Sequence, residues 1–162
     1  MFDKFGEFDS CEEINRAAKA QLEEGDLEAI RTIAEENGLD PEDAEDYCTG
    51  AIEKLTTPCL AAIGKLELEA KDLKLEGALK DWTDSIKQLC MENEEMALAV
   101  RKKGKSLKDC MAMILKKAFG EKTQLDDRIT KAAGLRPPLY ISIPGKAQIK
   151  EIVREYYLGE KK

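Results

Sequence analysis

The 162-residue chain is 36% charged, carries a formal net charge of −7 and contains no histidine. A chain of this length forms one ordinary domain, or two small lobes sharing a core, without help from disulfides or metal. The absence of histidine removes His-based acid–base catalysis, Ser–His and Cys–His nucleophile pairs and His-containing zinc sites, so a non-enzymatic role with no cofactor and no metal is expected.

No apolar run is long enough to cross a bilayer, so no transmembrane helix and no membrane partner are expected. The opening Met1-Phe2-Asp3-Lys4-Phe5-Gly6-Glu7-Phe8 has neither the basic nor the apolar region of a secretory signal, which predicts a cytoplasmic protein. Cys11, Cys48, Cys59, Cys90 and Cys110 are odd in number, widely spaced and beside apolar stripes; they read as small buried thiols in a reducing compartment. The net charge hides a split. Residues 1–99 carry 10 Lys and Arg against 26 Asp and Glu, and residues 100–162 carry 16 against 7, giving −16 and +9. An acidic helical half (1–99) and a basic C-terminal half (100–162), sharing one core, are therefore expected.

Phe2, Phe5 and Phe8 recur every third residue and predict an N-terminal arm tucked onto the core. Ser10 caps the first helix, with Glu13 completing a capping box, and Ile14, Ala17, Ala18 and Leu22 form its inner face. Gly25 ends that helix and Asp26 caps the next, with Leu27, Ile30, Ile33 and Ala34 inward and Asn37-Gly38 as its stop. Asp40-Pro41-Glu42-Asp43 is a strong helix start: an N-cap, proline at the first helical position and acids in the first turn. The stripe Ala44, Tyr47, Cys48, Ala51, Ile52, Leu55 follows. The cluster Asp40, Glu42, Asp43, Glu45 and Asp46 lacks the alternating spacing and closing acid of a calcium loop.

Thr57-Pro58 opens the longest predicted helix, running to about Lys80 with two apolar stripes, as in an element packed from both sides. Gly64 and Gly77 mark close packing or a bend. A shorter helix restarts at Thr83 or Asp84, with Ile86, Leu89 and Cys90 inward. Asn93 caps one more, with Met96, Leu98 and Val100 apolar, ending at Arg101-Lys102-Lys103-Gly104. Ser106 and Asp109 then introduce a helix whose stripe is Leu107, Cys110, Met111, Ile114, Leu115 and Ala118, with Gly120 as its stop. A short helix is predicted around 125–133, a strand at Leu139–Ile143 with Lys122–Gln124 or another copy as its pairing partner, and a last helix at about 146–157 with Ile149, Ile152, Val153 and Tyr156 inward. Gly159-Glu160-Lys161-Lys162 reads as a frayed tail. The fold class is thus mainly α: a single compact helical domain of about seven to nine helices with one short β element near residues 139–143. Ile129–Leu135 has the look of a helix-turn-helix centre, but Pro137-Pro138 and Pro144-Gly145 leave no room for a recognition helix.

The C-terminal 60 residues contain, in order, Gly104-Lys105-Ser106-Leu107-Lys108-Asp109-Cys110, a helix with Ile114-Leu115, Ala133-Gly134-Leu135, Ile143-Pro144-Gly145 and Ile152-Val153-Arg154-Glu155-Tyr156-Tyr157. This pattern resembles PcfK-like proteins of Firmicutes plasmids, integrative elements and phages, some of which are described as Cas9 inhibitors. The first 100 residues resemble short accessory proteins of gut-bacterial mobile elements. The resemblance implies a mobile-element protein that acts by binding, with a host protein such as a CRISPR nuclease as partner. In that reading Asp40, Glu42, Asp43, Glu45 and Asp46 form the acidic partner-binding face, offered to a basic nucleic-acid groove. The alternative is a nucleic-acid-binding accessory factor, in which Arg101, Lys102, Lys103, Lys105, Lys108, Lys116 and Lys117 contact phosphates or an acidic partner.

Overall fold

The start signals act where the sequence places them. In the computed structural model, which describes residues 4–159, Ser10 accepts from the Glu13 N–H at the head of α1 (Cys11–Glu24), Asp26 from Ala29 at α2 (Leu27–Glu36), and Asp40 from Glu42 at α3 (Pro41–Thr49). Thr57 caps α4 (Pro58–Asp72), α5 is Ala78–Glu92, and Asn93 caps α6 (Glu94–Arg101). Then come α7 (Leu107–Gly120), β1 (Thr123–Gln124), α8 (Asp127–Ala132), β2 (Tyr140–Ile141) and α9 (Lys146–Leu158). The protein is mainly helical: among the described residues there are nine helices and one two-stranded antiparallel ribbon. Phe2 and residues 160–162, and with them most of the expected tail, lie outside the described residues.

Two boundaries in the first unit differ from the sequence reading. α3 stops at Thr49 because Gly50 takes a left-handed conformation (φ 81°), so Ala51, Ile52 and Leu55 lie beyond the helix, though Leu55 is still buried. The long fourth helix is two. Leu75 N–H returns to the Ala70 carbonyl and Lys74 N–H to that of Lys71, a Schellman closure with a lysine at φ 52° in the position glycine usually holds. Leu79 and Trp82 therefore belong to α5, and Thr83, expected as a cap, is buried inside that helix and bonds back to the Leu79 carbonyl.

The chain divides into two compact units, Met1–Lys108 and Asp109–Lys162. By residue count the first holds 15 cations against 26 carboxylates and the second 11 against 7, so the charges are −11 and +4 and the five cations from Arg101 to Lys108 belong to the acidic unit.

In the first unit, Ile14 and Ala18 of α1, Ile30, Ile33 and Ala34 of α2, and Ala44 and Tyr47 of α3 share a core with Leu39, Leu55 and Ala61, and Phe5 and Phe8 of the arm pack against it. α4 packs on both α5 and α6. The approach of α4 to the α2–α3 turn is backbone to backbone: a Cβ at Gly38 would stand 2.3 Å from the carbonyl oxygen of Gly64 in α4.

In the second unit, Cys110, Met111, Ile114 and Ala118 of α7 and Ile149, Ile152 and Val153 of α9 are buried. Lys117 of α7 forms an ion pair with Glu155 of α9. Tyr157 rather than Tyr156 is the buried tyrosine; the Tyr156 ring stands edge-on to it at 4.7 Å. The predicted strand is shorter than expected, and its partner falls within the expected 122–124: Thr123 pairs with Ile141 and Gln124 with Tyr140. Leu125, expected in α8, continues the ribbon by donating its N–H to the Leu139 carbonyl at 2.8 Å.

Candidate functional site

The basic candidates are not all free surface cations. Arg101 is 2% exposed. Its Nε donates to the Phe8 carbonyl at 2.8 Å, Nη1 to the carbonyls of Ala61 at 3.1 Å and Asn37 at 3.4 Å, and Nη2 to Asn37 Oδ1. This corrects its assignment as a phosphate contact: every nitrogen of the guanidinium is engaged with interior acceptors. Burial draws its pKa below the ordinary arginine value, against the opposing pull of Glu7, Asp9 and Glu69. Asn37 is the matching hub. Its Oδ1 also accepts from Phe8 N–H at 2.8 Å and its Nδ2 donates to the Ile33 carbonyl at 2.8 Å.

Nearby, Lys65 Nζ donates to the carbonyls of Val100, Lys102 and Lys105 at 2.9, 3.2 and 2.7 Å, closing the C-terminal end of α6 where a cation suits the helix dipole. Burial lowers its pKa, partly offset by Glu69. The backbone of the lysine run is thus fixed from beneath. Lys102, Lys103 and Lys108 are exposed and Lys105 is half-buried in the first unit, whereas Lys116 is exposed and Lys117 is paired with Glu155 in the second.

The acidic candidates do come together, because one helix start carries them all. Asp40 is the N-cap of α3, Glu42 and Asp46 are exposed, and Asp43 is half-buried. Burial raises the Asp43 pKa, and Asp40 and Asp46 raise it further by crowding. Glu45 is different: Arg31 of α2 grips it with two bonds, Nε to Oε1 at 2.5 Å and Nη2 to Oε2 at 3.2 Å, and that hydrogen bonding lowers its pKa.

Two shallow clefts flank the turn into α3. One, of about 410 Å³, is lined by Arg31, Ala34, Glu35, Leu39, Pro41 and Glu45. The other, of about 290 Å³, lies between Asp40 and Asp43 on one side and Leu60, Ile63 and Gly64 of α4 on the other. The second offers apolar walls and a carboxylate rim, the surface that takes the aliphatic stem and charged tip of a lysine or arginine, whereas the rim of the first carries Glu35 and the Arg31–Glu45 ion pair.

No family model, curated protein or solved structure matches the chain.

Sequence reasoning missed three contributors. Leu60 and Ile63 complete the second cleft from α4, and nothing local announces that α4 reaches the α2–α3 turn except Gly38 and Gly64. Glu36 was also not singled out. Its carboxylate accepts the N–H groups of Lys4, Phe5 and Gly6 at 2.5, 2.8 and 2.9 Å and so fixes the N-terminal arm. Among the described residues, no group of three or more His, Cys, Asp or Glu side chains is arranged to hold a metal ion.

Proposed function

We propose that this chain is a non-enzymatic binding protein of a bacterial mobile element or phage, and that its α2–α3 surface seats on a basic surface of a host protein. The observation that carries the reading is the α3 start. Asp40, Glu42, Asp43 and Asp46 crowd the cap and first two turns of α3 without an ion pair to any described residue, and cleft walls stand on both sides of that start. Residues 11–49 hold 13 carboxylates and three cations. A single exposed ion pair contributes at most about 1 kcal/mol, so such a surface gains affinity and speed from many charges acting together on a partner of opposite sign. The resemblance of the C-terminal part to PcfK-like proteins supplies the partner class: a nuclease with a basic nucleic-acid groove, Cas9 being the named candidate. Occupying that groove would inhibit the nuclease.

Biolayer interferometry against an immobilised Cas9–guide complex tests this. Binding is expected to weaken at least tenfold with Glu42→Lys/Asp46→Lys and to fall as salt rises. Binding that ignores both changes contradicts the reading. The alternative, a nucleic-acid accessory factor, keeps Lys102, Lys103, Lys108 and Lys116 as exposed cations. Titration of single- and double-stranded DNA across a salt series tests it, because each phosphate contact to duplex DNA contributes a slope of about −0.9 in log K against log salt.

A further inference from the structure

Exposed apolar surface is concentrated in one stretch of the second unit. Among the described residues thirteen large hydrophobic side chains are exposed, and seven of them lie between Leu115 and Ile143. Ile143 is 77% exposed and Phe119 72%. The ribbon brings these two to one end: Thr123 pairs with Ile141, and Ser142 Oγ donates to the Glu121 carbonyl at 3.4 Å, so Phe119 and Ile143 flank the same terminus of the pairing.

The two faces of the ribbon differ in chemistry. Side chains alternate along a strand, so Ile141 and Ile143 share one face with Thr123, and Lys122, Gln124 and Tyr140 share the other. The four paired residues are exposed, and among the described residues the sheet has no third strand. Such a pair has two open edges whose outward N–H and C=O groups are a template for another strand, and two strands alone are marginal. The surroundings are cationic: Lys116 to Lys146 includes seven Lys and Arg against three Asp and Glu. Lys122 and Arg136 are exposed and make no ion pair among the described residues.

We propose that the β1–β2 ribbon accepts a third strand from a partner protein, an extended segment that alternates β-branched apolar residues with aspartate or glutamate. Ladder hydrogen bonds hold its backbone. Its apolar side chains extend the Ile141–Ile143 face, and its carboxylates fall on the face of Lys122, with Arg136 close in sequence. A second copy fits less well, because edge-to-edge pairing of two ribbons sets one basic surface against another. Single-stranded nucleic acid fits less well because the Ile141–Ile143 face is aliphatic, and the two nearby rings, Tyr140 on the opposite face and Phe119 at the end of the ribbon, do not line one face on which successive bases could stack. The ribbon belongs to the second unit and α3 to the first, so on this proposal each unit carries a binding surface, of opposite charge.

The test uses the full chain and random ten-residue peptides displayed on phage, selected on the wild type and counter-selected on Ile143→Asp. The expected result is enrichment of alternating acidic and β-branched sequences. A synthetic peptide of the enriched sequence should bind at least tenfold more weakly to Ile143→Asp and to Lys122→Glu, both exposed positions at which thermal stability should not change. Its binding should weaken with salt and shift the amide resonances of Thr123, Gln124, Tyr140 and Ile141. Enrichment of basic sequences, no enrichment, or binding indifferent to both substitutions overturns the proposal. So does a concentration-dependent dimer abolished by Ile143→Asp, which would make a second copy the occupant, or oligo(dT) binding that requires Lys122 and Tyr140.

Discussion

Arg101 and Asn37 meet in the interior of the first unit through two contacts, Nη2 to the Asn37 side-chain oxygen and Nη1 to its backbone carbonyl. They stand 64 positions apart and join four pieces of chain: the N-terminal arm through Phe8, the end of α2, α4 through Ala61, and the end of α6. A cation at the end of a lysine run thus acts as an internal clamp.

Truncating it should be costly. Arg101→Ala leaves the carbonyls of Phe8, Asn37 and Ala61 without their donor in a dry site, and a stability loss of about 3–5 kcal/mol is expected, as for breaking a buried charged network. Lys103→Ala, two residues on and exposed, should stay within about 0.5 kcal/mol of wild type. Urea unfolding of both variants checks the contrast; equal losses would mean Arg101 is not the clamp described.

Gly38 and Gly50 separate backbone strain from steric collision. Both have left-handed φ, 72° and 81°, but a Cβ at Gly50 meets nothing within 4 Å whereas one at Gly38 meets the Gly64 carbonyl oxygen at 2.3 Å. Gly50→Ala should cost about 1–2 kcal/mol, the left-handed penalty alone. Gly38→Ala should cost a further 1–3 kcal/mol as α4 is pushed off the turn. Thermal melts of the pair measure the difference directly.

Glu36 and Glu69 should give opposite pH slopes. Burial pushes the Glu36 carboxyl up, but the N–H groups of Phe5, Lys4 and Gly6 together outweigh it and hold its pKa below the ordinary 4.5. Its contribution is present above that value and is lost as pH falls through the lowered native one. The stability gap between wild type and Glu36→Gln should therefore close in acid. Glu69 is raised by burial, against the charge of Lys65 and the Leu107 N–H, and its Oε2 has no hydrogen-bond partner among the described residues. The native state holds this proton where the unfolded chain has released it, so stability falls as pH rises from 4.5 through the raised native value. Glu69→Gln should remove that fall. Chemical denaturation from about pH 2 to pH 8 reads both slopes, the Glu36 one below 4.5 and the Glu69 one above it.

Thiol reactivity should follow burial. Cys90 is 1% exposed, and burial beside Cys59 pushes its pKa up to about 12; Cys11 is also raised by burial, and Cys110 is 0% exposed. Cys48 and Cys59 are half-buried. Under native conditions a disulfide reagent should modify those two first and reach the other three only with denaturant, since reaction requires an accessible thiolate. Early labelling of Cys90, read by peptide mass, would contradict the packing of α5.

The caps were legible because their chemistry is local: Ser10, Asp26, Asp40, Thr57 and Asn93 each accept an N–H two or three residues on. The break after α4 was not, since Lys74 rather than glycine occupies the left-handed position and the apolar stripes run past it. The acidic cluster could be read as a helix start but its clefts could not, because Leu60 and Ile63 arrive from a helix about twenty residues later. Arg101 was misread because its acceptors lie up to 93 positions away and its sequence neighbours are surface lysines. Burial of a long cation by scattered carbonyls leaves no periodic trace.

The proposed partner-binding surface lies on α2 and α3. Hydrogen exchange of the full chain, alone and with an excess of a Cas9–guide complex, tests it most directly. The account predicts slowed exchange in residues 27–49 and no change there for Glu42→Lys/Asp46→Lys. Protection confined to residues 101–120, or none anywhere in the chain, would contradict it.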